Sequence, residues 1–283
     1  MGIRTAIVTG ANKGIGKETA RELAKAGLRV ILACRNTQAA EQAKAEIIQE
    51  TGNKEVHVVS LDISSRKSIQ DFVEQFKEQF GTLNVLVNNA GISNTRDEKT
   101  SDGLEPIIGT NFYGTFMLTQ RLLLLFEKGA ECRIIVVVSN IYTMGRFSFD
   151  RIGAYRWVKA YAVSKYLLLL YVLELAKRNK ESGIEVFAVH PGIVRTTIMF
   201  TNKWYDAIIR VILSPFFIDP VEGCRTSVYL ALSESVRGQG GSLFAKSRRI
   251  EIPARFRDLE LAEKVWDLGM EYLNRQQGGT LPQ

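Results

Sequence analysis

Cysteine is scarce and odd in number. Cys34, Cys132 and Cys224 are the only three in 283 residues, and their separations match no metal-ligand spacing. A disulfide framework and a zinc site are therefore not expected, no metal is assigned, and a reducing compartment fits. Long apolar runs are also lacking. The most apolar stretches, 122–126 and 166–173, fall well short of the roughly 20 residues that a membrane-spanning helix needs, so both read as buried helix. Met1-Gly2-Ile3-Arg4 runs straight into a strand-like segment without the apolar core of a secretion signal. A cytoplasmic location is expected, with contact to an intracellular membrane left open. No linker rich in Pro, Gly or Ser and no fixed-period repeat interrupts the chain, so one domain over 1–283 is expected. An excess of one charge is lacking too: Lys and Arg number 37 against 30 Asp and Glu. Part of the surplus is local, with Arg237, Lys246, Arg248, Arg249, Arg255 and Arg257 facing only Glu251. Neither a basic helix nor interleaved aromatics accompany these charges, so they read as a solvated loop and nucleic acid is not expected as a partner.

What is present is alternation. Residues 3–8, 28–34, 56–61, 83–87, 132–138 and 184–189 are strand-like. Residues 14–26, 110–128 and 161–180 read as helices. So does the stretch after Asn36 or Thr37, and the one after Ser64 or Ser65 with Ile69, Phe72, Val73, Phe76 and Phe80 on one face. Repeated βαβ units predict an α/β fold: a single Rossmann-type, doubly wound parallel sheet with helices on both faces. Its ligands bind beyond the carboxyl ends of the strands.

The informative residues follow strands, as that fold requires. Thr9-Gly10-Ala11-Asn12-Lys13-Gly14-Ile15-Gly16 lies between the first strand and a helix. Glycines there let backbone approach a pyrophosphate, and the helix N-terminus offers free N–H groups and a positive dipole end. The second strand ends in Ala33-Cys34-Arg35-Asn36, where NAD-binding folds commonly carry an acid for the ribose hydroxyls. With no carboxylate present, and with Arg35 and Lys13 able to meet a 2′-phosphate, NADP is the expected cofactor. Asn88-Asn89-Ala90-Gly91 follows the fourth strand. Tyr161 and Lys165, four apart, share a helical face, so the ammonium is expected to lower the phenol pKa and make Tyr161 a general acid and base.

These motifs, in this order, resemble the short-chain dehydrogenase/reductase family over the whole chain. Ala33-Cys34-Arg35-Asn36, His190-Pro191-Gly192 and the tail from Gly241-Ser242-Leu243-Phe244 to Leu261-Ala262-Glu263-Lys264-Val265-Trp266 are most similar to its retinol dehydrogenase-like branch. The resemblance implies a catalytic set of Asn111, Asn140, Tyr161 and Lys165. It implies a cofactor site of Gly10, Asn12, Lys13, Gly14, Ile15, Gly16, Arg35, Asp62, Ile63, Asn89, Ala90, Gly91, Tyr161, Lys165, Pro191, Val194 and Thr196. Asp62 and Ile63 would border the adenine and 89–91 the adenosine ribose. Lys165 would hold the nicotinamide ribose, Asn111 would position a water leading from Lys165 to solvent, and Val194 and Thr196 would meet the carboxamide and pyrophosphate.

One departure stands out. The family usually places a Ser at the second position of a Ser-Ser pair after strand five, where this chain reads Val138-Ser139-Asn140. Alternation along an extended chain puts Ser139 on the opposite face from Asn140, so Asn140 is expected to hold the substrate oxygen through its amide. The expected function is NADP(H)-dependent hydride transfer between nicotinamide and a small-molecule carbonyl or alcohol. The aromatic residues of 141–160 and 197–220 suggest a lipophilic one, and 237–283 forms a C-terminal extension. A cofactor-binding protein with weak or lost catalysis is the alternative that Asn140 raises. Peripheral membrane contact, through 204–217 above all, and homodimerisation stay open.

Overall fold

The computed structural model describes residues 2–93, 99–192 and 219–275. Among these, eight strands form one sheet in the order β3-β2-β1-β4-β5-β6-β7-β8. They are β1 (Thr5–Thr9), β2 (Arg29–Cys34), β3 (Val56–Ser60), β4 (Val85–Asn88), β5 (Cys132–Val137), β6 (Ile184–Val189), β7 (Leu243–Ala245) and β8 (Arg248–Ile250). The first seven run parallel, and β8 closes one edge antiparallel to β7. The strand order reverses between β1 and β4, which opens a crevice at their carboxyl ends.

The helices are α1 (Gly14–Lys25), α2 (Thr37–Thr51), α3 (Arg66–Phe80), the single turn α4 (Pro106–Ile108), α5 (Thr115–Leu122), α6 (Trp157–Arg178), α7 (Pro220–Leu232) and α8 (Leu259–Asn274). Side chains alternate across each strand, so both sheet faces are apolar and each takes its own layer of helices. Ala6, Val8, Leu32 and Val87 pack with Leu23, Ala40, Ile47 and Leu230 from α1, α2 and α7. Ile7, Ile31, Leu86 and Ile134 pack with Phe72, Phe76, Phe116 and Leu167 from α3, α5 and α6. Local signals start and stop the helices as expected. Asn36 Oδ1 accepts from the Ala39 N–H at 2.9 Å, Gly52 ends α2 at φ 70°, and the Ser65 hydroxyl accepts from the Ser68 N–H at 3.3 Å.

Three expectations change. Residues 110–128 do not form one helix: a π-helical segment, Gly109–Gly114, precedes α5, and a 3-10 turn, Leu123–Leu125, follows it. A Cβ on Gly114 would lie 1.8 Å from the Ile63 carbonyl oxygen, so only glycine lets this segment pass so close to the loop after β3. Helix α6 starts at Trp157, one turn before Tyr161. The basic stretch holds a hairpin as well as loop: Lys246 and Ser247, at φ 49° and 56°, form its two-residue turn between β7 and β8. Residues 197–218 of the second expected substrate segment lie outside the described residues.

Outside α6 lies α8. Its Trp266 ring meets those of Phe116 at 5.4 Å and Tyr171 at 6.1 Å, and the Arg178 guanidinium sits 4.5 Å from the Trp266 ring centroid. Arg66, first residue of α3, donates to the carbonyls of Tyr272 and Leu273 and so binds the exposed carbonyl end of α8. Among the described residues no helix is long and apolar enough to cross a membrane.

Candidate active site

The turn after β1 is built around missing side chains. Gly10 and Gly14 take φ 66° and 59°, and a Cβ on Gly16 would lie 2.5 Å from both Asn89 Nδ2 and the Gly10 carbonyl oxygen. The space beside Gly14 is open to at least 4 Å, and the N-terminus of α1 has no side-chain cap. Such a cradle of free helix N–H groups and bare glycines fits a pyrophosphate. Thr9 fastens the turn to β4: its hydroxyl accepts from the Asn89 and Ala90 N–H groups at 3.0 and 2.9 Å and donates to the Val87 carbonyl at 3.3 Å. Asn89 Nδ2 donates to the Thr9 carbonyl at 2.8 Å. The buried Cys34 sulfur accepts from the backbone of Ala11 and Asn12, and burial pushes its thiol up to about 11.

Arg35 is exposed at the end of β2, with no carboxylate on that strand end, and its guanidinium lies 3.7 Å from the Asp62 carboxylate. Asp62 is held in turn by the N–H and hydroxyl of Ser64 at 2.9 and 2.6 Å, while Ile63 is buried beside Gly114. The loop after β3 thus presents a fixed edge to the crevice.

Tyr161, Lys165 and Ser139 meet where α6 crosses the end of β5. The Lys165 ammonium lies 5.6 Å from the Tyr161 ring centroid and donates to the Val137 carbonyl at 2.9 Å. Burial in this dry pocket pulls its pKa down to about 8. Burial pushes the Tyr161 phenol up to about 12, and the nearby Ser139 hydroxyl, rather than the expected field of Lys165, works against it. The side chain beside the phenol is therefore that of Ser139. Asn140 is exposed and opens a 3-10 turn, Asn140–Met144. Alternation along the strand alone does not anticipate Ser139 beside Tyr161, because where α6 crosses the strand end decides it.

Asn111 is fully buried in the π-helical segment. Its Oδ1 accepts from the Ile92 N–H at 2.8 Å, and its Nδ2 donates to the Ile92 carbonyl at 2.8 Å and the Ser164 hydroxyl at 3.0 Å. The amide works as a clamp between the segment after β4 and α6. Gly91 makes room: a Cβ there would lie 3.1 Å from Asn111 Oδ1 and 3.6 Å from Lys165 Nζ.

A family model described as short chain dehydrogenase matches residues 4–206. The chain belongs to the short-chain dehydrogenase family. Retinol dehydrogenase 12 of Mus musculus is 38% identical over 276 residues, covering 96% of this chain and 87% of that protein. Within the family the chain falls in the retinol dehydrogenase-like branch. A solved structure from Mycobacterium paratuberculosis aligns with TM-score 0.76 at 29% identity, covering 97% of this chain and 94% of that one. A Shigella flexneri short chain dehydrogenase complexed with NADP aligns with TM-score 0.67 at 25% identity, covering 87% and 97%. This short-chain dehydrogenase is thus an oxidoreductase that uses a nicotinamide cofactor and acts on small alcohols or carbonyl compounds.

The other expected residues fall into two groups. Pro191 lies at the end of β6 beside Gly192, whose N–H donates to His190 Nδ1 at 3.4 Å. Val194 and Thr196 lie outside the described residues. Sequence reasoning missed Thr9 and Ser164 as organisers of the site. A lone hydroxyl in a strand or helix carries no signal until its distant partner is known.

Proposed function

We propose that this dehydrogenase is NADP(H)-dependent and interconverts a lipophilic carbonyl compound and its alcohol, with Tyr161 as proton donor and acceptor. The observation that carries the proposal is the convergence of Ser139, Tyr161 and Lys165 at the carboxyl ends of the strands, next to the glycine cradle. Gly10, Asn12, Lys13, Gly14, Ile15 and Gly16 would hold the pyrophosphate, Arg35 and Lys13 the 2′-phosphate, Asp62 and Ile63 the adenine, and 89–91 with Lys165 the riboses. When bound, the nicotinamide supplies or accepts hydride.

The chain's own groups handle the proton. In reduction the Tyr161 O–H donates its proton to the carbonyl oxygen, and the Ser139 hydroxyl donates a hydrogen bond to that oxygen as negative charge develops. With its pKa at about 12 the phenol is protonated at neutral pH, ready for reduction. Alcohol oxidation needs the phenolate, so its rate is expected to rise with pH above neutrality. Lys165 is an ammonium below pH 8, held in place by the Val137 carbonyl.

The absence of an acid at the end of β2, the exposed Arg35 and the NADP complex of the Shigella flexneri protein support NADP over NAD. Similarity to a retinol dehydrogenase supports an apolar substrate. The alternative of lost catalysis was motivated by Asn140, and Ser139 beside Tyr161 supports retained catalysis instead. Tyr161→Phe tests the reading. NADPH oxidation with a panel of aldehydes and ketones is expected to slow by roughly 10²- to 10⁴-fold while NADPH affinity stays within about twofold. A variant that kept most of its turnover would show that the acid lies elsewhere.

A further inference from the structure

Eight large apolar side chains are exposed among the described residues, and four of them crowd into one short stretch: Met144 at 61%, Phe149 at 39%, Trp157 at 67% and Val158 at 59%. Contacts hold that stretch together as one surface. The Lys159 ammonium donates to the Met144 carbonyl at 3.1 Å and the Arg146 carbonyl at 2.5 Å, tying the turn after Ser139 to the first turn of α6. The Ser148 N–H donates to the Tyr155 hydroxyl at 2.9 Å, and the rings of Phe147 and Phe149 meet at 5.3 Å.

Within this stretch the charges are mostly basic, and from outside it the Glu105 carboxylate faces Arg156. Arg146, Arg151, Arg156 and Lys159 are exposed, against the single acid Asp150, which pairs with the Ser148 hydroxyl. Trp157 adds an independent mark. It takes φ 52°, a left-handed conformation that a bulky residue adopts at a cost, and presents its indole to solvent at the start of α6. The surface rims the site: Trp157 precedes Tyr161 by one turn, and the turn carrying Met144 begins directly after Ser139.

Apolar side chains fringed by arginine and lysine, with a Trp among them, match the interface of an anionic bilayer. We propose that residues 144–159 dock this dehydrogenase on an anionic lipid bilayer. The mouth of the site then faces the phase in which a lipophilic alcohol or carbonyl compound dissolves. The proposal rests on the lipophilic-substrate reading above.

The test is sedimentation of the full chain with phosphatidylcholine vesicles, pure or containing about 30% phosphatidylserine, together with quenching of tryptophan fluorescence by brominated lipid. Binding is expected to be at least about tenfold stronger to the anionic vesicles. Met144→Ser with Trp157→Ser should lower it by about tenfold, as should Arg151→Glu with Arg156→Glu. In all variants NADPH affinity reports an intact fold. Trp157→Phe keeps the apolar bulk, so it should keep binding while losing most of the quenching. Equal binding to both vesicle types, no binding, binding unchanged in both double variants, or quenching undiminished in Trp157→Phe would each overturn the proposal. The last result would place the membrane contact elsewhere in the chain. Turnover of a short water-soluble aldehyde without vesicles reads the proposed chemistry separately, so failure of docking and failure of catalysis are distinguishable.

Discussion

Helices α3 and α6 carry the same kind of apolar residues and live in different surroundings. Helix α3 buries one stripe, Ile69, Phe72, Val73 and Phe76, with Arg66 at its start, and leaves its charged residues in water. Helix α6 buries Ala160 and every residue from Ala162 to Leu175, because the sheet lies on one side and α8 on the other. A one-sided helix belongs to the surface. A helix covered on both sides makes a dry environment, and there the same burial that stabilises leucines pulls Lys165 down to about 8 and pushes Tyr161 up to about 12. At the start of α6 the cover over Tyr161 and Lys165 comes from the end of β5 and the segment after β4, while α8 covers the later turns at Tyr171 and Arg178.

The strongest way to break that contrast is to remove the cover. Trp266→Ala takes the indole from between Phe116, Tyr171 and Arg178, and should cost about 3–5 kcal/mol in urea unfolding. A loss below about 1 kcal/mol would show that α6 stands as independently as α3. Ser139→Ala removes the hydroxyl in the dry pocket and should lower kcat by roughly 10²- to 10³-fold. Asn140→Ala, on an exposed turn, should change it by less than about twofold. Steady-state kinetics decide, and the opposite ranking would move the oxyanion donor to Asn140.

Lys165→Met sharpens the comparison through pH. The folded pKa of about 8 lies below the ordinary 10.5, so the unfolded chain binds this proton more tightly than the folded one. The resulting penalty, of order 3 kcal/mol, is complete below pH 8 and is relieved as pH rises from 8 to 10.5. The Met variant, inactive by the proposed mechanism, should therefore melt above the unsubstituted protein at pH 7, with the gap closing by pH 10. Loss of the donor to the Val137 carbonyl makes the figure an upper value. The smallest effect belongs to α3: Ser65→Ala removes a local cap and should cost about 1 kcal/mol by thermal unfolding, with turnover intact.

Much of the frame was legible because its signals are local. Strands β1 to β6 fall within about two residues of the expected segments. Asn36 and Ser65 cap where their types suggest, and the glycine turn lies between β1 and α1. The hairpin of β7 and β8 was not legible. Its strands have three residues each, β8 is rich in arginine, and its turn uses Lys246 and Ser247 where glycine or asparagine would have signalled a positive φ.

By itself the sequence determined the alternation that makes the parallel sheet, the glycines without which β1, α1 and Asn89 could not approach, and the four-residue spacing that puts Tyr161 and Lys165 on one face. Periodicity and steric size act over a few residues and are written where they act. Only the tertiary structure decided that Ser139 lies beside the phenol, that the Asn111 amide is committed to Ile92 and Ser164, and that α8 covers the later turns of α6. Each of those depends on where one element crosses another, dozens of residues away in the chain, and burial exists only once the covering element has arrived.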